Sequence, residues 1–228
     1  YATTDLATLD YRLETWDPAE ILYVTDGRQQ LHFRQLFAAF RRAHPQRTVR
    51  LEHVWFGSIL GEDGKPFKTR SGETVKLAEL LDEAEERALA IASAKNPGLS
   101  PDEHRTIARC IGIGAIKYAD LVPNRQSDYV FSWDKMLALN GNTAPYLLYA
   151  YARTRSLQRK VAELGPQAEL PESLRLVEAE ELALARHLLN FGHTLEAVAA
   201  DYRPNFLCNY LYELAGRLSQ FWENCPVL

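Results

Sequence analysis

The spacing of hydrophobic and polar residues in the first part of the chain alternates between that of helices and that of strands. Residues 4–12 have helical spacing, and the apolar run at 21–26 predicts a buried strand. Residues 31–43 place phenylalanines on one side of a helix and arginines on the other, and a second strand is predicted at 50–56. Strand, helix and strand in this order predict a parallel sheet whose ligand site lies at the carboxyl ends of the strands.

From residue 75 onward the pattern is mostly helical. A long amphipathic helix is predicted over 75–96, and a second begins at Ser100 with a capping arrangement, because Glu103 follows three positions later. Further helices are predicted at 141–164, 174–200 and 204–222. We therefore predict an α/β part over residues 1–139 and an all-α part over 140–228, mostly helical overall.

The composition is that of a globular protein without a marked preference for nucleic acid. The chain has 228 residues, of which 46% are hydrophobic, so a packed core is expected. Its net charge of -4 argues against a uniformly basic nucleic-acid coat. A local basic surface can still bind phosphate within an acidic protein.

The sequence predicts neither a membrane span nor a metal site. No apolar run reaches the roughly 18 residues of a membrane span, and the start does not resemble a signal peptide. The three cysteines, Cys110, Cys208 and Cys225, are too far apart for a disulfide framework or a zinc site. His187 and His193 belong to an apolar helical pattern without metal spacing. We therefore expect a cytoplasmic protein with no bound structural metal.

Residues 61–72, GEDGKPFKTRSG, form a predicted loop after the second strand. Glycine, proline and charge are typical of a solvated turn. A lysine on a loop at the carboxyl edge of a sheet can also stabilise the charge that develops on a phosphate during transfer. The spacing K-x-x-K-T differs from a P-loop, and Gly112 and Gly114 predict close helix packing rather than a dinucleotide site. Both interpretations of the loop stay open on these residues alone.

Polar groups near the start of the chain suit a guanidinium ligand. Tyr1 and Asp5 share one face of a helix, where a carboxylate can accept two parallel hydrogen bonds from a guanidinium that packs near the ring. Gln29 follows the first strand, where its amide could orient a polar ligand. The same residues are also compatible with an exposed aspartate, a packed tyrosine and an ordinary strand-to-helix turn.

Aromatic and cationic residues alternate along residues 144–160. An aromatic ring can stack on an unpaired base while a guanidinium pairs with a phosphate, so this segment could bind RNA. A tyrosine-lined core face opposite a solvated basic face would have the same composition. The residues concerned are Tyr146, Tyr149, Tyr151, Arg153, Arg155, Arg159 and Lys160.

Six stretches together resemble one family, the arginyl-tRNA synthetases, which are class I aminoacyl-tRNA synthetases. They stand in the family's order and spacing: YATTDLATLDYR, YVTDGRQQLHF, HVWFGSILGEDGKPFKTRSG, IGIGAIKYADL, DYVFSWDKML and GNTAPYLLYAYAR. The resemblance runs from residue 1 to about residue 160 and continues more weakly through the helical remainder. It implies the C-terminal half of a class I Rossmann-like catalytic domain followed by an incomplete helical anticodon-binding domain.

The resemblance implies a role for the loop. GKPFKTR resembles the family's KMSKS loop, with Lys65 at its first lysine, Lys68 at its catalytic second lysine and Thr69 at its final serine. Lys68 would stabilise the phosphates of ATP, which binds with Mg²⁺, as the carboxylate of arginine displaces pyrophosphate. His53 and Val54 match positions near the adenine and ribose.

The resemblance also implies the amino-acid and tRNA ligands. Asp5 would bind the guanidinium of arginine, and Tyr1 and Gln29 would fix its orientation, which selects against lysine. The helix over 146–160 matches the start of the anticodon-binding domain, and Trp222 is a candidate for stacking on an anticodon base. We therefore expect arginine, ATP and tRNA(Arg) as partners of a monomer that binds neither membrane nor DNA.

The sequence departs from the family pattern in lacking the HIGH motif and the N-terminal domain that grips the tRNA elbow. We therefore expect the parent protein to charge tRNA and this segment alone to be inactive. The alternative is a non-catalytic tRNA-binding paralogue that keeps the helical part. The set Lys65, Lys68, Tyr1, Asp5 and Gln29 favours the enzyme, because a binding module needs neither an arginine pocket nor a phosphate loop.

Overall fold

The computed structural model describes residues 1–65, 67, 76–163 and 175–225 of the chain. Its contacts group the chain into two compact units. The first comprises Tyr1–Leu60 and Arg125–Tyr129, and the second comprises Gly61–Asn124 and Val130–Leu228. The boundary between α/β and all-α parts that we placed after residue 139 stays a prediction.

The first unit is built around a parallel pair of strands with a helix between them. Its elements are α1 (Ala2–Trp16), β1 (Glu20–Asp26), a 3-10 turn (Gly27–Gln29), α2 (Gln30–Ala43), β2 (Arg50–Phe56) and β3 (Ile59–Leu60). Strands β1 and β2 run parallel and in register, from Glu20 opposite Arg50 to Asp26 opposite Phe56. The predicted strand, helix and strand are confirmed.

Helix α2 packs on one face of this strand pair. Its buried residues are at the helical spacing that the sequence predicts. They are Phe33, Leu36, Phe37 and Phe40. These side chains share one core with Ile21 of β1, Leu51 of β2, and Leu9 and Leu13 of α1. The apolar pattern of α2 therefore holds both the strands and α1 in place.

The first unit differs from the prediction in two respects. Only Ile21 of β1 is buried, whereas Leu22 is 40% and Val24 is 64% exposed. Successive side chains of a strand point to opposite faces, and within this unit α1 and α2 pack on only one of them. Helix α1 is also longer than the predicted 4–12, and it ends where Asp17 adopts a left-handed conformation with φ 39°.

Helices dominate the rest of the described chain. They are α3 (Leu77–Lys95), α4 (Pro101–Leu121), α5 (Trp133–Met136), α6 (Ala144–Glu163), α7 (Ala179–Leu189), α8 (Phe191–Asp201) and α9 (Asn205–Asn224). A short strand, β4 (Tyr129–Val130), precedes α5. The predominance of helix that the sequence predicts is confirmed.

Small residues allow α3 and α4 to approach closely. A Cβ atom on Gly112 would lie 2.6 Å from the backbone oxygen of Ala84, so only glycine fits at this contact. Close packing is thus confirmed for Gly112, whereas a Cβ on Gly114 would reach Ala144 only at 3.9 Å. The capping box that starts α4 is also confirmed, because the Ser100 N–H donates to Oε2 of Glu103 at 2.8 Å.

The single helix predicted over 174–200 is wrong in one respect, because α7 and α8 are separate helices that meet at Asn190. The Asn190 N–H donates to the His187 carbonyl at 3.1 Å, and its ψ of -3° leaves the ordinary helical range. Apolar periodicity continues on both sides of this residue, so the break leaves no mark in the hydrophobic pattern. Both helices contact α9.

The hydroxyl of Tyr118 connects α4 to α9 and to the segment before α6. It lies 2.6 Å from Oδ1 of Asn142 and 3.0 Å from the backbone oxygen of Cys208. Nδ2 of Asn142 is in turn 3.3 Å from Oδ1 of Asn209. Burial raises the pKa of Tyr118, so the hydroxyl keeps its proton and one hydrogen bond can be donated.

We expect Tyr118→Phe to lower the free energy of unfolding by about 1 kcal/mol, because a half-buried hydrogen bond is lost. This hydrogen bond should contribute fully to the free energy of unfolding below a pH of about 10, the pKa of an unfolded tyrosine. Its contribution should be lost as the pH rises from there through the raised pKa of the folded protein. Urea unfolding of the chain measures the difference. Tyr151→Phe, at a side chain that is 62% exposed, is the control and should change little. Equal stability of the two variants would contradict the role of Tyr118.

Candidate functional site

The side chain of Asp5 on α1 is bonded to α2. Its Oδ2 lies 2.8 Å from Nε2 of His32, and the two side chains are 37% and 35% exposed. An ionised carboxylate only accepts hydrogen bonds, so Nε2 carries the proton that is donated. No described residue bonds the second oxygen, Oδ1. The carboxylate is therefore held in place while part of it faces solvent.

Tyr1 and Gln29 lie within one helical turn of this pair. The carbonyl of Tyr1 accepts the Asp5 N–H at 2.9 Å, which closes the first turn of α1, and the Tyr1 side chain is fully exposed. Gln29 ends the 3-10 turn after β1 and is exposed, three residues before His32. His32 was not among our candidates, although its helical spacing from Gln29 was a signal that could have found it.

His53 lies on β2 beside the end of β1. Its Nε2 is 2.8 Å from Oγ1 of Thr25, and its ring packs on Phe33 with centroids 4.4 Å apart. Burial and then the positive charge of Arg125 lower the pKa of His53, so the ring is held neutral at pH 7. The neighbouring Val54 is buried, so only its backbone can meet a ligand.

Part of the lysine loop lies within the described residues. The Lys65 side chain is exposed, its N–H donates to Oδ1 of Asp63 at 3.1 Å, and its carbonyl accepts the Gly61 N–H at 2.8 Å. These two bonds form a compact turn that presents Lys65 to solvent. Lys68 and Thr69 lie outside the described residues, so their predicted roles stay predictions.

Helix α6 divides its aromatic and cationic residues between two faces. On one face, Tyr146 packs edge-on against Tyr212 of α9 with ring centroids 5.7 Å apart. The guanidinium of Arg153 lies 4.9 Å from the ring of Trp222, also on α9, and 5.8 Å from that of Tyr149. The Trp222 ring therefore already has a cationic neighbour within the protein.

The other face of α6 is open to solvent. Tyr151, Arg155 and Arg159 follow one another at intervals of four and are exposed, so they form a stripe along the helix. Nη1 of Arg155 donates to Oε1 of Gln158 at 2.8 Å, and Lys160 is exposed beside the stripe. The helix thus has a packing face and a solvated basic face, as the second interpretation of the sequence expected, and binding of RNA by the basic face stays a prediction.

Two structural expectations concern membranes and metals. Within the part of the chain that the structure describes, no helix is long and apolar enough to cross a membrane. Among the same residues, no group of three or more histidine, cysteine, aspartate or glutamate side chains could hold a metal ion.

The structure defines a class of fold, in which an α/β part built on a parallel strand pair is followed by a mostly helical part. The family model of class I tRNA synthetases (R), catalytic domain, matches residues 1–133, which is more than half of the chain. The chain belongs to this family. The DALR anticodon binding domain model matches residues 147–228.

Curated relatives and solved structures agree with this assignment. The chain is 51% identical over 229 residues to the arginine–tRNA ligase of Laribacter hongkongensis and 53% identical over 230 residues to that of Azotobacter vinelandii. Each alignment covers 100% of this chain and 39% of the relative, so the chain spans about two fifths of the length of these enzymes. The resemblance that the motifs indicated is confirmed.

The fold also matches two arginyl-tRNA synthetase structures. The Plasmodium falciparum enzyme superposes with a TM-score of 0.83 at 30% identity, covering 100% of this chain and 38% of that one. The Thermus thermophilus enzyme gives a TM-score of 0.77 at 27% identity, covering 92% of this chain and 34% of that one. The predicted architecture, a C-terminal part of the catalytic domain followed by helices, is confirmed.

We expect the imidazole of His53 to titrate below the pKa of about 6.5 that is usual for histidine. Arg125→Gln removes a positive charge and should raise this pKa, whereas Arg125→Lys keeps the charge and should leave it low. NMR of the ring protons as a function of pH measures both. The neutral ring should stabilise the fold above about pH 6.5, and this stability should be lost as the pH falls through the lowered pKa. A pKa at or above 6.5 in the unmodified chain would contradict this.

Proposed function

We propose that the protein to which this chain belongs is an arginine–tRNA ligase. In the first step, a carboxylate oxygen of arginine attacks the α-phosphorus of ATP, and pyrophosphate leaves. In the second step, a hydroxyl of the 3′-terminal ribose of tRNA(Arg) attacks the arginyl carbonyl, and AMP leaves. The observation that carries this proposal is the partly exposed Asp5 carboxylate, bonded to His32 one turn from Gln29, in a chain of the class I (R) family.

Arginine recognition is assigned to Asp5, Tyr1 and Gln29. Each carboxylate oxygen has two lone pairs, so Asp5 can accept from His32 and still receive both prongs of a guanidinium. The exposed Tyr1 ring and the Gln29 amide would restrict the orientation of the ligand. An ammonium cannot use a two-pronged acceptor equally well, which selects against lysine.

ATP binding is assigned to residues of β2 and of the lysine loop. The ring of His53 lies against Thr25 and Phe33, and burial and the charge of Arg125 lower its pKa; this ring and the backbone of Val54 would contact the nucleoside. Lys65 and Lys68, with Thr69, would meet the phosphates and stabilise the charge on pyrophosphate as it leaves. Mg²⁺ would arrive with the ATP phosphates as part of the substrate.

Binding of tRNA is assigned to α6. The stripe of Tyr151, Arg155 and Arg159 can combine stacking on a base with pairing to phosphates, and Lys160 extends its charge. The exposed Tyr149 would add a second ring for contact with the tRNA, whereas Tyr146 and Arg153 pack on Tyr212 and Trp222 of α9 and would support this surface. The proposed enzyme is a cytoplasmic monomer whose macromolecular partner is tRNA.

We expect Asp5→Asn in the complete protein to lower kcat/KM for arginine by roughly a hundredfold, because a charge-assisted pair worth about 1.5–3 kcal/mol is lost. Arginine-dependent exchange between ATP and pyrophosphate, with tRNA present, measures the effect, and KM for ATP should stay within about twofold. The matched control is Asp10→Asn, because Asp10 makes a similar pair with His44 at 3.0 Å between the same two segments. Unchanged arginine use after Asp5→Asn would refute the proposed pocket.

We expect Arg155→Gln combined with Arg159→Gln to weaken tRNA binding at low salt by about tenfold or more. Removing two phosphate contacts should also reduce the slope of log K against log salt by roughly 1.4. Titration of labelled tRNA at several salt concentrations measures both quantities. The control, Arg41→Gln with Arg42→Gln, removes the same charge from the exposed end of α2. Equal losses in the two double variants would show a general charge effect rather than a site on α6.

A further inference from the structure

His32 is a side chain to which neither the motifs nor the family match assigns a role. It joins α2 to α1 through the 2.8 Å bond from Nε2 to Oδ2 of Asp5, across 27 positions of sequence. Both partners lie at the surface, since each side chain is about one third exposed. The bond therefore lies beside a solvent-accessible carboxylate and not inside the core.

Asp5 and His32 both lie on helices that are packed against the core. The residue after His32 is Phe33, which is 5% exposed and packs on Tyr23 and Phe37. The His32 ring itself meets the edge of Phe33, with centroids 5.3 Å apart. On the other side, Leu9 is fully buried and holds α1 one turn beyond Asp5. The relative positions of the imidazole and the carboxylate are thus set by apolar packing before any ligand arrives.

The charge of Asp5 also acts on the neighbouring groups of the unit. Burial raises the pKa of Tyr23, and the negative charge of Asp5 contributes to the rise while Arg12 opposes it. The guanidinium of Arg12 lies 5.3 Å from the Tyr23 ring centroid. Of these groups, His32 is the one that makes a direct hydrogen bond to the Asp5 carboxylate.

A second aspartate–histidine pair in the same unit allows a structural role of such a pair to be distinguished from a role in ligand binding. Asp10 of α1 and His44, the residue that follows α2, lie 3.0 Å apart, with side chains 44% and 38% exposed. This pair has nearly the same exposure and nitrogen–oxygen distance as Asp5 and His32, but only Asp5 and His32 are joined by a hydrogen bond. However, Asp10 is more than one helical turn from Tyr1. His44 follows the C-terminal end of α2, whereas Gln29 precedes its N-terminal end. Any purely structural benefit of an aspartate–histidine pair should appear at both places.

We propose that His32 is a positioning residue for arginine recognition. By donating to Oδ2, it fixes the plane of the Asp5 carboxylate and leaves Oδ1, with the remaining lone pair of Oδ2, to receive the guanidinium. Without this bond the carboxylate can rotate about its side-chain torsions, and the two-pronged acceptor exists for only part of the time. The inference rests on the proposed function, because it deepens the arginine site.

The test uses the complete protein in arginine-dependent ATP–pyrophosphate exchange with tRNA present, together with calorimetric titration of arginine. His32→Ala should raise both KM and Kd for arginine about tenfold, which is the low end for a charge-assisted hydrogen bond, and should leave KM for ATP within about twofold. His32→Gln keeps a donor and should recover most of the affinity. His44→Ala, the matched control, should leave arginine binding unchanged.

A double-mutant comparison tests whether His32 acts through Asp5. If it does, His32→Ala should add little to the defect of Asp5→Asn, because the group that it positions has already been altered. Fully additive losses would overturn the proposal, as would an unchanged KM for arginine in His32→Ala or equal losses in His32→Ala and His44→Ala. Absence of arginine-dependent exchange in the unmodified protein would overturn the proposed function itself. If only the proposed role of His32 is wrong, the unmodified protein will still show arginine-dependent exchange, and the contradiction will appear only in the variants.

Discussion

The packing of α2 against the parallel pair β1 and β2 is the constraint on which the candidate site depends. Phe33 and Phe37 bury the inner face of the helix, so its first turn is held directly after the carboxyl end of β1. That position places Gln29 beside the strand end. The polar residues of the site contribute little to the core, and they are held in place by helices that apolar contacts position.

In the second unit, polar contacts supplement apolar packing at particular points. The α3 and α4 helices approach closely because Gly112 has no side chain at the contact with Ala84. The Tyr118 hydroxyl then links α4 to α9, where a single proton has two acceptors within reach. On α6, one face packs on α9 through Tyr146 and the opposite face exposes Arg155. One helix thus carries both a packing face that includes Tyr146 and a basic face that is open to solvent.

Much of the fold could be predicted because its signals are local. The strand–helix–strand order and the capping box at Ser100 follow from short-range periodicity and from pairs three residues apart. The break at Asn190 could not be predicted, because apolar spacing continues on both sides of it. The exposure of Val24 was also missed, since a hydrophobic residue is buried only when some element covers its face of the strand.

By itself the sequence determined most of the elements, the family, and the residues Tyr1, Asp5 and Gln29 as candidates for arginine binding. Only the tertiary structure decided that His32 bonds Asp5. The reason is physical: hydrophobic periodicity shows which side of a helix is buried, but a hydrogen bond between residues 27 positions apart requires two helices to pack at one particular distance. That distance is set by the combined fit of the core side chains.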